Sequence, residues 1–156
     1  MPVKITEVQS KIEYAVQVEP IEDVDFKSLT KNRYSFVWKK EKDFSIWKLC
    51  LAGNNEILGL MSLEFIDSEE RVHIRLLANS YENVGSRKMY SGIASCLIAY
   101  ACREAILRYS DNACVSLIPK TNLREYYMRE YGMENAGQSI CLIGIGLIKM
   151  IQKHNL

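Results

Sequence analysis

Residues 87–106 carry the strongest pattern in the chain and read RKMYSGIASCLIAYACREAI. Their apolar positions recur at the three- and four-residue spacing of a helix that buries one face. Those positions are Ile93, Leu97, Ile98, Ala101, Ala105 and Ile106. We therefore predict an amphipathic helix that begins soon after Gly92 and ends near residues 109–112.

Small residues surround the predicted start of this helix, namely Ser91, Gly92, Ala94 and Ser95. They would let a ligand approach the backbone, and the first N–H groups of a helix carry partial positive charge that suits phosphate. Arg87 and Lys88 would add two cations beside it. The alternative is that Gly92 and Ala94 serve only close helix packing.

The flanking sequence alternates between strand and helix patterns. Period-two alternation and short apolar runs predict strands at 11–18, 44–51, 57–65, 72–77 and 113–118, with a last strand pairing after Asn135. A helix is predicted from Glu22. Another is predicted from Asn122, with a capping box to Glu125 and Gly132 as its C′ residue. The succession of strand, helix and strand around residues 93–106 implies a parallel crossover.

Length and composition are typical of a soluble globular chain with a single domain, residues 1–156. The chain has 20 basic and 19 acidic residues, so its near-zero charge predicts no nucleic-acid and no membrane partner. Five cysteines without a CxxC pair indicate buried thiols, and with no secretory signal we expect a cytoplasmic protein. The apolar run at 140–151 is too short to span a bilayer and is predicted to be a core element.

The order of these elements, together with two short motifs, resembles the GCN5-related N-acetyltransferase (GNAT) superfamily. That family's phosphate loop has the form Gln/Arg-x-x-Gly-x-Gly/Ala, which residues 89–94 match with Met89 where Gln or Arg is usual. A later helix of the family commonly reads Asn-x-x-Ala-x-x-Phe-Tyr-x-x-x-Gly-Phe, and residues 122–133 match it in part. The resemblance covers residues 44 to about 145. It implies an α/β fold with a mixed, mostly antiparallel central sheet, a parallel crossover and helices on both faces.

What the resemblance implies for function is direct acetyl transfer from acetyl-CoA, a cosubstrate, to a primary amine. The pyrophosphate would rest on backbone N–H groups of residues 90–95, and the pantetheine arm would run along the strand at 72–77, splayed from that at 113–118. The implied cofactor-binding residues are Leu76, Leu77, Arg87, Lys88, Met89, Tyr90, Ser91, Gly92, Ile93, Ala94, Ser95 and Asn122. The loop between Leu77 and Gly92 is longer than usual in the family, which leaves the position of the acetyl group open.

Three residues are candidates for proton transfer. The family's usual proton-donating tyrosine falls on Met128, so that role passes to Tyr127, shifts to Tyr126 or is absent. We predict Tyr127 as the acid, against the alternative that it is a core aromatic. Glu64 and His73 are candidate bases, although both also suit exposed strand positions, and water can do this work in the family.

The acceptor, a small-molecule or peptide amine, is not specified by the sequence. Its pocket is predicted within residues 22–40, with Lys39 and Lys40 as a positive edge and apolar walls from Phe26, Leu29, Tyr34, Phe36 and Trp38. Rival hypotheses are a non-catalytic CoA-binding or interaction module of the same fold, and an interaction protein without a CoA site. Exposed aromatics and the apolar C-terminal segment also allow a homodimer. The two histidines and scattered cysteines predict no metal site.

Overall fold

The computed structural model describes residues 3–156, which form a mixed nine-stranded sheet and three α-helices. The strands are β1 (Lys4–Glu7), β2 (Glu13–Pro20), β3 (Ser45–Leu51), β4 (Ile57–Ile66), β5 (Arg71–Asn79), β6 (Tyr90–Ser91), β7 (Cys114–Leu117), β8 (Glu134–Ala136) and β9 (Ser139–Ile143). The helices are α1 (Ile93–Tyr109), α2 (Arg124–Tyr131) and α3 (Ile145–Lys153). The strand order is β6-β1-β2-β3-β4-β5-β7-β9-β8, with β5 and β7 parallel. The predicted fold class is confirmed.

Two compact units divide the chain. The first contains the chain up to Ser62 together with Leu76–Leu97, and the second contains Leu63–Arg75 together with Ile98–Leu156. The strands β4 and β5 and the helix α1 each pass from one unit into the other.

Most predicted elements occur, shifted by a few residues. The strand predicted at 11–18 is β2, and α1 begins at Ile93, directly after Gly92. Gly132 has a φ of 71° and its N–H donates to the Met128 carbonyl at 3.1 Å, which confirms its predicted place at the end of α2. The segment predicted to start a helix at Glu22 is a 3-10 helix, Asp23–Ser28, whose capping box joins Glu22 and Asp25.

The predicted capping box between Asn122 and Glu125 was wrong. A 3-10 turn, Thr121–Leu123, precedes α2, so Leu123 occupies the N-cap position and makes no side-chain cap. The segment 140–151 is also not one element, because Gly144, with a φ of 53°, separates β9 from α3. Within residues 3–156, no helix combines the length and hydrophobicity that crossing a membrane requires.

An apolar cluster holds the first unit together. Its buried members are Phe26, Tyr34, Trp38, Ile46, Cys50, Ile57, Leu60 and Ala78. The hydroxyl of Tyr34 donates to the Ile57 carbonyl at 2.6 Å, and the indole N–H of Trp38 donates to the Ser35 carbonyl at 2.8 Å. Both rings are only 2% exposed, so these two predicted walls of an acceptor pocket are instead interior residues.

The second unit is organised around the parallel pair of β5 and β7. Val72 lies opposite Val115 and Ile74 opposite Leu117, and all four side chains are buried. The hairpin of β8 and β9 is fastened to α2 by one side chain. The guanidinium of Arg124 donates to the Asn135 amide oxygen at 2.8 Å and to the carbonyls of residues 137 and 139 at 2.7 and 3.1 Å.

In the first unit, α1 lies directly against β4 at Gly59. A Cβ atom at this position would lie 2.5 Å from Cγ2 of Ile93 and 3.1 Å from Cδ1 of Leu97. The first two turns of α1 therefore reach the strand only because Gly59 has no side chain.

We expect Gly59→Ala to lower the free energy of unfolding by about 1–3 kcal/mol, because the added methyl group overlaps a buried side chain. Urea denaturation followed by circular dichroism measures this change. Ile93→Ala removes the overlapping Cγ2, so Gly59→Ala should cost clearly less in that background. Equal costs in both backgrounds would contradict the close approach of α1 to β4.

Candidate functional site

The loop before α1 is held by the N-terminal strand, which the sequence did not predict. Strand β6 pairs with β1, so that Thr6 lies opposite Ser91 and Glu7 opposite Tyr90. The Val8 N–H also donates to the carbonyl of residue 89 at 2.8 Å. These bonds fix the backbone at the entry to α1.

A buried asparagine sets the other side of this loop. The side-chain oxygen of Asn83 accepts the Tyr90 N–H at 2.9 Å, and its amide nitrogen donates to the Ser80 hydroxyl at 3.0 Å. The Met89 N–H donates to the Glu82 carbonyl at 2.9 Å. The N–H of Tyr90, a predicted phosphate donor, and that of Met89, a predicted cofactor-binding residue, therefore already have acceptors within the protein.

Gly92 forms the junction between this loop and α1. Its φ is 96°, in the left-handed region that favours glycine, and only Cγ2 of Ile5, at 4.0 Å, lies near the position of a Cβ. The Gly92 carbonyl accepts the Cys96 N–H at 2.9 Å, which closes the first turn. By helix geometry, the N–H groups of Ile93 and Ala94 then have no acceptor within α1. An exposed glycine and two such donors open a helix of 17 residues.

The two predicted cations next to this helix start are both exposed. Across residues 3–156, neither Arg87 nor Lys88 has a carboxylate at ion-pair distance. Arg33 contrasts with them, because it forms a hydrogen bond and ion pairs with Glu82 and Glu56 that raise the pKa of its guanidinium. Positive charge that no protein group neutralises therefore lies in the loop.

The end of β5 contributes an acceptor that sequence reasoning missed. Leu76 and Leu77, predicted along the pantetheine arm, are both half-buried on this strand. Two residues further on, the side-chain oxygen of Asn79 is buried and has no hydrogen-bond partner among the described residues. A buried acceptor without a donor is costly, so it marks a place where a ligand N–H would be favourable. An isolated Asn after an apolar strand carries no sequence signal of this kind.

A cavity of about 410 Å³ lies in the first unit. It reaches the predicted acceptor segment only at Asp23 and Phe26. Its further walls come from the start of β3 and the loop before it, including Phe44 and Trp47, with Lys42 as its cation. Lys39 and Lys40, the predicted positive edge, are exposed and do not line it.

Three tyrosines cluster on α2 in the second unit. The ring centroids of Tyr126, Tyr127 and Tyr131 lie 5.5 to 6.0 Å from one another. Burial raises the pKa of Tyr127, so its phenol keeps its proton at neutral pH. Burial also raises the pKa of Tyr131, with a further contribution from a hydrogen bond to Tyr126. Of the three, Tyr127 is the one whose hydroxyl has no hydrogen bond within the described chain.

His73 lies on β5 beside a buried serine. Its Nδ1 is 2.8 Å from the Ser116 hydroxyl oxygen and 3.4 Å from Nη1 of Arg71, which itself donates to Ser116 at 2.7 Å. Burial lowers the pKa of His73, and the positive charge of Arg71 lowers it further. Because Arg71 can only donate, it favours an unprotonated Nδ1 and a proton on Nε2. In that tautomer the outer nitrogen of His73 is a donor.

The remaining predicted residues, among them Glu64, Asn122 and the five cysteines, lie on several different elements of the fold. Glu64 forms an ion pair with Arg75 at 3.5 Å, and its side chain is 39% exposed. Asn122 is exposed in the turn before α2. All five cysteines are free thiols, and burial raises the pKa of Cys102 to about 12, which makes it unreactive. No group of ligands for a metal ion occurs within the part of the chain that the structure describes.

The predicted residues therefore fall into two groups. The loop of residues 87–95 and the end of β5 belong to the first unit. Tyr127, Glu64, His73 and Asn122 belong to the second unit.

No model of a known protein family and no curated protein matches this sequence. Solved structures do match it. One is a spermidine N-acetyltransferase, SpeG, from Vibrio cholerae, with a TM-score of 0.61 and 13% identity over 88% of this chain and 97% of that one. Another is AtaT in a DNA-bound complex with AtaR, with a TM-score of 0.60 and 15% identity over 86% and 98% of the two chains. A candidate streptothricin acetyltransferase from Bacillus anthracis, in complex with acetyl coenzyme A, has a TM-score of 0.59 and 13% identity over 80% and 84%. The chain has the GNAT fold.

The ring of His73 should titrate below the ordinary histidine pKa of about 6.5, because burial and Arg71 both disfavour its charged form. Arg71→Gln should raise this pKa, since it removes the neighbouring positive charge. NMR titration of the two imidazoles measures it. The free energy of unfolding should accordingly fall as the pH drops below about 6.5. At those pH values His73 binds a proton more readily in the unfolded chain than in the folded protein.

Arg75→Gln is the matched control, since Arg75 also lowers the pKa of His73 but contributes least to the shift. An Arg71→Gln shift no larger than that of the control would contradict the arrangement described. His154, the second imidazole, has a pKa lowered by burial to about 4 and serves as an internal reference.

Proposed function

We propose that the protein is an acetyl-CoA-dependent N-acetyltransferase that acts on a primary amine by direct transfer. The observation that carries this proposal is the start of α1, where exposed Gly92, two backbone donors and two uncompensated cations come together. A shared fold with acetyltransferases of known structure supports it, since one of them holds acetyl coenzyme A.

The residues of the first unit suit the cofactor in charge and in hydrogen bonding. The N–H groups of Ile93 and Ala94 would receive the pyrophosphate, with Arg87 and Lys88 as counter-charges. Pantetheine contains amide N–H groups, for which the unpartnered oxygen of Asn79 is a matching acceptor. Leu76 and Leu77 would pack along its apolar parts. Met89 and Tyr90 would contribute van der Waals contacts and not backbone hydrogen bonds, because their N–H groups already have acceptors.

Acetyl transfer forms a C–N bond and breaks a C–S bond, so one proton must leave the amine and one must reach the sulfur. Tyr127 is the proposed donor to the departing sulfur, because its raised pKa keeps the phenol protonated. Glu64 is the proposed acceptor of the amine proton, directly or through water. His73 would need to change tautomer before it could accept that proton at Nε2.

The acceptor class is a small-molecule or peptide amine. Structural neighbours are described as acting on spermidine and as complexed with an acetylated methionyl-tRNA, which shows how widely acceptors vary on this fold. The cavity of the first unit combines three aromatic rings with one carboxylate and one ammonium group. Such walls suit an amine attached to an apolar group.

Binding of acetyl-CoA is the first test. At about 100 times its dissociation constant, the ligand should add about 2.7 kcal/mol to the folded state, a shift of several degrees in Tm. CoA should act likewise and ATP should not. Gly92→Asp should weaken binding at least about tenfold in calorimetry, because a carboxylate would face the pyrophosphate.

Two variants separate charge from backbone strain. Gly92→Asn has nearly the same shape without the charge and should retain most of the affinity. Gly53→Asp places the same residue at a similar φ of 78° in a remote turn and should leave binding unchanged. Equal affinities of the Gly92→Asp and Gly53→Asp proteins would refute the phosphate site. Absence of any Tm shift would favour an interaction protein without a CoA site.

Tyr127→Phe should reduce kcat at least about tenfold with little change in CoA affinity, because it removes a proton donor and keeps the ring. Steady-state kinetics with a panel of amines measures this. Tyr126→Phe is the control, since Tyr126 lies on the same helix and is 40% exposed. Unchanged turnover in the Tyr127→Phe protein would remove its role as acid. CoA binding without turnover on any amine would support the non-catalytic alternative.

A further inference from the structure

A groove of about 350 Å³ in the second unit lies between the end of α2 and the helix α3. Its lining includes Tyr131, Gly132 and Met150, together with the exposed Ile143 and Ile145. The sequence predicted a core element here. Only part of α3 is buried in the structure, namely Leu147 and Met150.

The outward side of this segment is unusually apolar. Ile143, Ile145 and Ile148 are 51%, 69% and 47% exposed. The two last lie three residues apart on one helix, so they share a face, and Ile143 precedes them at the end of β9. Clustered exposed isoleucines beside a groove are typical of an interaction surface rather than of a solvated helix.

The charges of the groove come in both signs. Glu130 and Glu134 lie on its α2 and β8 side, and Lys149 and Lys153 on its α3 side. Glu130 pairs with Arg129, and Lys153 lies over the ring of Tyr131. Among residues 3–156, Glu134 and Lys149 have no ion-pair partner. Lys153 likewise has no ion-pair partner among these residues, so the surface presents unpaired charges of both signs.

A surface with an apolar centre, an unpaired acid on one side and unpaired lysines on the other is suited to pairing with itself after a two-fold rotation. In such an isologous contact each Lys149 meets the Glu134 of the other copy, and the contact occurs twice. Glu134 belongs to β8, which ends the strand order, so no further strand of the described sheet covers it. An acidic partner would leave Glu134 unpaired, and a basic partner would leave Lys149 and Lys153 unpaired.

We infer that this face, formed by Glu134, Ile143, Ile145, Ile148 and Lys149, binds a second copy of the chain and makes the protein a homodimer. The inference concerns the second unit alone and does not depend on acetyl transfer. The isoleucines form the apolar centre of the interface and the two charges set its register.

Analytical ultracentrifugation of the full chain tests this at concentrations up to about 100 μM, where even a contact weaker than a standard interface is populated. The wild-type protein should sediment as a dimer. Ile145→Glu should convert it to a monomer, whereas Leu107→Glu should not, although Leu107 is equally exposed at 68% on another helix. Circular dichroism should show both variants folded.

Charge reversal identifies the partner as a second copy. Lys149→Glu alone places like charges opposite each other twice, and so does Glu134→Lys alone, so each protein should be monomeric. A mixture of the two variants should form a heterodimer, because one contact then keeps its native Lys149–Glu134 pair and the other has an opposite-charge pair in reversed order. A monomeric wild type, or single variants that remain dimeric, would overturn the inference, and the former would leave the face for a different protein.

Discussion

The close contact between α1 and β4 at Gly59 determines where the start of α1 lies in the first unit. A helix usually stands off a sheet by the length of the intervening side chains, and here the first two turns meet the strand with none between Ile93 and the backbone. That contact sets the depth of the helix start. The N–H groups that open α1 are therefore presented at a fixed position, which is the property an anion site needs.

The loop before α1 is held in place by hydrogen bonds within the protein. Asn83, only 1% exposed, holds Tyr90 from one side, and β1 holds β6 from the other. Burying an amide side chain is favourable only when its polar atoms are satisfied, and Asn83 achieves this through Ser80 and Tyr90. The N–H groups of Met89 and Tyr90 that hold the loop can no longer bind a phosphate. The backbone donors that remain for a phosphate therefore lie after Gly92.

The sequence predicted those parts of the fold that depend on local periodicity. Helix α1 and strands β3 to β5 repeat their apolar residues over many positions, and Gly132 marks a backbone conformation that other residues adopt at a cost. The strand β6 has two residues and exists only through its pairing with β1, so no periodicity can reveal it. The capping box at Asn122 failed because a 3-10 turn, Thr121–Leu123, precedes α2 and moves its N-cap to Leu123, which the motif does not encode.

The candidate site residues also divide into those that have a local sequence signal and those that do not. The place of Gly92 at the start of α1 was predictable because its motif describes backbone geometry, whereas the unpartnered oxygen of Asn79 arises from burial after folding. Net charge bears on large charged partners and not on small anions. A value of +1 argues against a nucleic-acid backbone, which needs many cations spread over a surface. A pyrophosphate is smaller than the screening length of about 8 Å at physiological salt, so it responds only to the charges nearest to it. The proposed pyrophosphate site would therefore rely on the two exposed cations beside the start of α1, in a chain that is almost neutral as a whole.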